Sequence, residues 1–146
     1  IRNEHIGLVM QDYALVEDFT VFDNVMLPLN LARKKQKNRK QIAMEALEKV
    51  EMSEFAKNKV SELSGGQKQR TAIARAIVNE PDVLLADEPT GALDSENAET
   101  VMALFRKINE DGTTVVIVTH DGDLAQCCDR IIEIRDGEIV EDGLSK

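Results

Sequence analysis

Four apolar residues, Val83-Leu84-Leu85-Ala86, run into Asp87-Glu88 and then into the turn-forming Pro89-Thr90-Gly91. No other stretch restricts the fold so tightly. A short apolar run closed by a turn reads as a strand buried on both faces, and such strands belong to parallel sheets covered by helices. Two carboxylates at its carboxyl end lie at the edge where ligands of open α/β sheets collect. Taken alone, the block is equally a strand end with two solvated acids.

A second block, Leu63-Ser64-Gly65-Gly66-Gln67, opens a segment (67–79) that reads as one helix with Ile73, Ala74 and Ile77 on its buried face. Ser64 and Gln67 have capping-box spacing, in which the hydroxyl caps the N3 amide and the longer side chain reaches back. The cap leaves the glycine pair unexplained, because glycine weakens a first helical turn. Glycines there leave backbone N–H groups uncovered at the positive end of a helix, a site for phosphate.

Together the blocks resemble the nucleotide-binding domains of ABC (ATP-binding cassette) ATPases. Residues 63–67 are similar to that family's signature motif, 83–88 to its Walker B strand and Gly91-Ala92-Leu93-Asp94 to its D-loop. Gln11, after the apolar run Ile6-Gly7-Leu8-Val9-Met10, matches the Q-loop, and His120, after the β-branched run 113–119, matches the H-loop. The resemblance implies an ATPase that uses ATP and Mg²⁺, with two domains sandwiching the nucleotides head to tail. In that arrangement Ser64, Gly65, Gly66 and Gln67 clasp the γ-phosphate held by the partner. Asp87 serves Mg²⁺, Gln11 touches the metal or the attacking water, Glu88 polarises that water, His120 contacts the γ-phosphate and Asp94 links the subunits. Within the family, residues 6–11, Thr20-Val21 with Asn24-Val25, and residues 86–94 are most similar to the lipoprotein-release and macrolide-export group. A second ATPase subunit and a transmembrane permease are the implied partners, with the chain in the cytoplasm, peripheral on the inner face of the membrane.

The remaining segments complete the layout. Thr20 opens a helix with Asp23 at capping spacing, and Pro28 is expected to kink or end it. That helix either packs within the domain or docks a membrane partner, and both can hold. Residues 33–40 form a dense basic run, read as a solvated loop or as a contact for anionic lipid. Amphipathic helices are expected at 38–51 and 95–111, a strand buried on both faces at 113–119, and a short helix at 123–128. Cys127 and Cys128 are expected to be reduced and partly buried in that last helix. Asp136-Gly137 between apolar runs predicts a hairpin. The expected fold is therefore α/β, a P-loop NTPase-type, mostly parallel sheet without its P-loop strand, with an inserted α-helical lobe and a C-terminal β-hairpin. Residues 1–19 carry the Q-loop strand and loop, 20–80 the helical lobe, and 81–146 the rest of the catalytic core.

Charge and composition exclude some functions. A net charge of −9 argues against general affinity for nucleic acid, and 3% aromatic residues give no stacking platform for single strands. No apolar run approaches the ~20 residues of a membrane span, and the polar start does not read as a secretory leader. No G-x-x-x-x-G-K-[ST] occurs in the 146 residues. The resemblance then implies the carboxyl-terminal part of a longer domain, which alone is expected to bind Mg·ATP weakly or not at all, show no turnover and self-associate through an uncovered strand edge. Alternative readings are a soluble ABC-type ATPase acting on DNA or ribosomes, and a non-catalytic docking piece.

Overall fold

The computed structural model describes residues 5–32 and 37–144. Three parallel strands, β1 (Ile6–Val9), β2 (Val83–Asp87) and β3 (Thr114–Val118), lie in the order β1-β2-β3. The register sets Ile6 beside Val83 and Val83 beside Thr114, with Leu8, Leu85 and Val116 aligned two residues further on. All three strands therefore end at one edge, which receives Gln11, Asp87-Glu88 and His120 from three distant parts of the sequence.

The helices are α1 (Val21–Leu31), α2 (Arg39–Lys49), α3 (Gly65–Ile77), α4 (Ser95–Glu110) and the short α5 (Gly122–Gln126). Apolar spacing accounts for their packing. Val21, Val25 and Leu29 of α1, Ala43 and Leu47 of α2, and Ile73, Ala74 and Ile77 of α3 share one buried cluster. Leu84 and Ala86 of β2 and Val101, Phe105 and Ile108 of α4 extend that cluster to the sheet. One contact sets the height of α3 above β1. A Cβ at Gly7 would collide with the Ala76 carbonyl and lie 2.9 Å from Leu84 Cδ1, so only glycine allows the approach.

The hairpin forms as expected, from β4 (Arg130–Arg135) and β5 (Glu138–Leu144), paired antiparallel. Asp136 and Gly137 turn the chain at φ 50° and 81°, the left-handed pair of a type I′ turn.

Several expectations change. Pro28 does not end α1, which continues to Leu31. Proline removes one intrahelical N–H, but burial of Val25 and Leu29 on either side holds the helix together. β3 is not buried on both faces: Val116 and Val118 are 41% and 59% exposed. Gly7, Val9, Leu84, Ala86, Val115 and Ile117 share the covered face, whereas Ile6, Leu8, Val116 and Val118 lie open on the other. The last helix stops at Gln126, so Cys127 is its exposed C-cap and Cys128 lies beyond it, half-buried. Of the basic run, residues 33–36 lie outside the described residues; within it, Arg39 donates to Asn30 Oδ1 at 2.8 Å.

The Gly7 contact is testable. Alanine there should cost about 1–3 kcal/mol, because a backbone carbonyl cannot move aside as a side chain can. A lower urea midpoint at unchanged slope would show it. An unaltered midpoint would mean that α3 lifts off β1 freely.

Candidate active site

Glu88 is the centre of the site. It follows the last residue of β2 with a left-handed backbone (φ 43°), although it is not glycine and precedes a proline. Its N–H donates to the Val118 carbonyl at 2.9 Å, which holds the turn on β3. The carboxylate is anchored from the end of β3: Thr119 Oγ1 donates to Oε2 at 3.0 Å and the His120 N–H donates to Oε1 at 2.8 Å. The His120 ring completes the set, with Nδ1 2.5 Å from Oε1. Glu88 is 18% exposed and the His120 side chain 89%, so the carboxylate is held in place while the imidazole stands in solvent. Burial pushes the Glu88 carboxyl up, but hydrogen bonds from the His120 ring and amide and from Thr119 outweigh it and hold it below its ordinary value.

Asp87 ends β2 exposed to solvent. Gln11 lies on the adjoining loop, and a Cβ built on Gly91 would stand 3.5 Å from its Nε2. That loop turns through Tyr13 and Ala14, both left-handed (φ 64° and 47°). Arg75 of α3 fixes it by donating to the Ala14 carbonyl at 2.5 Å and the Tyr13 carbonyl at 2.9 Å. Burial lowers the Arg75 pKa, partly offset by Asp12. Among the described residues no group of three or more His, Cys, Asp or Glu side chains could hold a metal. What the edge offers is one free carboxylate and one amide. That set suits Mg²⁺, which keeps several waters and is commonly bound by one or two carboxylates together with substrate phosphates.

At the start of α3, Ser64 forms the predicted capping box: Oγ accepts from the Gln67 N–H at 3.3 Å and Gln67 Oε1 accepts from the Ser64 N–H at 3.0 Å. The two glycines differ. Gly65 is exposed, whereas Gly66 is buried against Asn97, whose side chain a Cβ at 66 would strike. Asp94 caps α4, its Oδ1 accepting from the Asn97 N–H and Nδ2 at 2.9 Å each, and these bonds lower its pKa. Gln11, Asp87, Glu88 and His120 thus share the sheet edge, while 64–67 and Asp94 stand at two abutting helix starts.

Sequence reasoning missed Thr119, Asn97, Gln69 and Arg75. Asn97 stands three residues after Asp94, a capping interval that was available; the other three contacts cross from 31 to 62 residues of sequence or, for Gln69 to Pro89, 20.

A family model described as "ABC transporter" matches residues 1–91. The chain belongs to the ABC transporter family. It is 51% identical over 142 residues to the uncharacterized ABC transporter ATP-binding protein YvrO of Bacillus subtilis, covering 97% of this chain and 62% of that protein. It is 49% identical to the lipoprotein-releasing system ATP-binding protein LolD of Bacteroides fragilis, covering 95% and 65%. With the macrolide export ATP-binding/permease protein MacB of Mannheimia succiniciproducens it shares 46% identity, covering 97% of this chain and 22% of that one. Among solved structures, the dimeric bacterial ABC transporter cassette MJ0796 superposes with TM-score 0.85 at 44% identity, covering 100% of this chain and 65% of that one. A dimeric post-hydrolysis form of the same cassette, bound to ADP and Pi, matches with TM-score 0.85 at 44% identity over 99% of this chain and 65% of that one. The chain thus spans less than two thirds of each of these proteins. The mixed α/β fold with a C-terminal antiparallel hairpin is that of the cassette.

The anchoring of Glu88 has a measurable consequence. Its carboxyl should titrate below the ordinary glutamate value of roughly 4.3, and His120→Ala should move the midpoint up by removing the ring hydrogen bond. Because the folded value is the lower one, these bonds stabilise the fold above the unfolded pKa. That stability is lost as pH falls through the lowered value. Carbon-13 chemical shifts of Glu88 against pH would record both; a midpoint unmoved by His120→Ala would remove the ring from the site.

Proposed function

We propose that the chain is part of the ATPase of a membrane ABC transporter, hydrolysing ATP between two copies arranged head to tail. The observation that carries this reading is the single sheet edge at which Gln11, Asp87, Glu88 and His120 meet, with Glu88 anchored as an ionised carboxylate. The dimeric cassette bound to ADP and Pi, similar over nearly the whole chain, supports it.

Each residue then has a task. Ser64, Gly65, Gly66 and Gln67 offer the positive end of α3 to the γ-phosphate held by the second copy, while Asp94, beside Asn97, lies at the joint between copies. Asp87 and Gln11 would hold Mg²⁺, which when bound neutralises charge on the β- and γ-phosphates. The water oxygen attacks the γ-phosphorus, the bond to the ADP oxygen breaks, and Glu88 Oε1 receives the water proton. His120 must leave Oε1 for that, and its exposed ring is free to turn to the γ-phosphate. Loss of the ring hydrogen bond raises the basicity of Glu88 as the water arrives.

Among the described residues no helix is long and apolar enough to cross a membrane. A permease would supply the span, placing this chain in the cytoplasm on the inner membrane face. The names of the relatives LolD and MacB support export or lipoprotein release as the coupled process. The net charge of −9 argues against a general affinity for nucleic acid.

In the intact protein, Glu88→Gln should lower kcat on the order of 10²–10⁴-fold while keeping ATP binding, because the amide cannot accept the proton. Phosphate release and sedimentation would show an inactive, ATP-bound dimer; near-normal turnover would remove Glu88 from the role of base.

Ser64→Arg should stop hydrolysis by blocking the start of α3, with ATP affinity in its own subunit retained. Parallel loss of affinity and hydrolysis would argue instead that Ser64 acts within its own subunit.

A further inference from the structure

We propose that Gln69 is a positioning residue for hydrolysis: from the second turn of α3 it fixes the turn that carries Glu88, so the helix that serves a partner's phosphate also sets the carboxylate of its own subunit. The inference rests on the ATPase reading above.

Gln69 is 1% exposed, and its Nε2 donates to the Pro89 carbonyl at 2.6 Å, across 20 residues of sequence. Its Oε1 is buried without a hydrogen-bond partner among the described residues. A buried acceptor left unpaired loses its hydration without return, and an apolar side chain of the same shape would pack there without that loss. Packing alone therefore does not account for glutamine at this position. The donor does.

The Pro89 carbonyl is a sensitive point to hold. Glu88 is left-handed and precedes a proline, a combination that backbone sterics disfavour. Within its own segment the turn is closed by Gly91 N–H to the Glu88 carbonyl at 3.2 Å, and from β3 the Val118 carbonyl accepts the Glu88 N–H at 2.9 Å. Pro89 has no N–H to add to them. The Gln69 bond acts on the Pro89–Thr90 peptide, one residue beyond Glu88, and ties the turn to α3. Beside it, Gly66 of α3 abuts Asn97, which is tied to Asp94. Residues 89–94 are thus gripped by α3 at one end and by the start of α4 at the other.

Gln69→Met is the test, made in the intact protein beside the wild type, since methionine fills the same volume and removes the donor and the unpaired acceptor together. The urea midpoint should stay close to that of the wild type, because the variant removes the buried unpaired Oε1 while it leaves the Pro89 carbonyl without its donor. The KM for ATP should stay within about twofold while kcat falls on the order of tenfold to a hundredfold, the loss expected when a reacting group is displaced by about an ångström. Hydrogen exchange should speed up at the Gly91 and His120 amides and not in α3. A wild-type kcat in the variant, with the wild type active, would overturn the inference alone. A lowered midpoint with KM and kcat worsening together would also overturn it, showing Gln69 to be structural. An inactive wild type would overturn the ATPase reading and this inference with it.

Discussion

Everything at the site depends on how closely α3 lies on the sheet. The helix crosses β1 where residue 7 has no side chain, and the Ala76 carbonyl takes the space a Cβ would need. From that seat the helix reaches three loops. Its first turn meets Asn97 through Gly66, Gln69 holds Pro89, and Arg75 holds the carbonyls of Tyr13 and Ala14. A helix resting a few ångströms higher would lose all three contacts together, since each is a short-range hydrogen bond or a van der Waals fit. Gly7 is therefore as much a condition of the site as the acids are.

Glu88 shows how the fold makes a carboxylate rigid without burying it deeply. Thr119 and His120 follow β3, which pairs with β2 in register up to Asp87 beside Val118. That pairing delivers one hydroxyl and one amide to the two oxygens of Glu88. Two oxygens fixed by donors from the end of β3 leave the side chain little rotational freedom. Of its partners the imidazole alone is a solvent-exposed side chain on a rotatable bond, and so it is the one able to leave.

What could be read from the sequence is whatever depends on neighbours in the chain. The Ser64–Gln67 cap, the helix start at Thr20, the Asp136-Gly137 turn and the apolar strand before Asp87 all follow from local patterns, and the structure reproduces them. The edge that gathers Gln11, Glu88 and His120 was legible through the strand ends and the family resemblance. Gly66 was legible as a glycine but not in its purpose, because its burial depends on Asn97, which is 31 residues away. Gln69 and Arg75 looked like ordinary polar residues of a helix face; only the loops packed above them make them anchors. The 113–119 strand misled, and of the two outcomes expected at Pro28 the helix end did not occur, for a common reason. Local rules state the preference of a segment, whereas tertiary packing decides whether a proline is tolerated and whether both faces of a strand are covered.

Arg75 extends the reasoning one step further. Its guanidinium is half-buried and, among the described residues, makes no ion pair with a carboxylate within 4.0 Å; it spends its donors on two consecutive left-handed residues of the Gln11 loop. Desolvating the charge is unfavourable, Asp12 offsets it only in part, and a neutral side chain would avoid it. Guanidinium has one property that a neutral residue lacks: a planar fork that can grip two carbonyls at once. The grip couples the direction of Gln11 to the position of α3, as Gln69 couples the turn at Glu88 to the same helix. A rigid displacement of α3 must then act on the Gln11 loop and on the turn at Glu88 in the same movement.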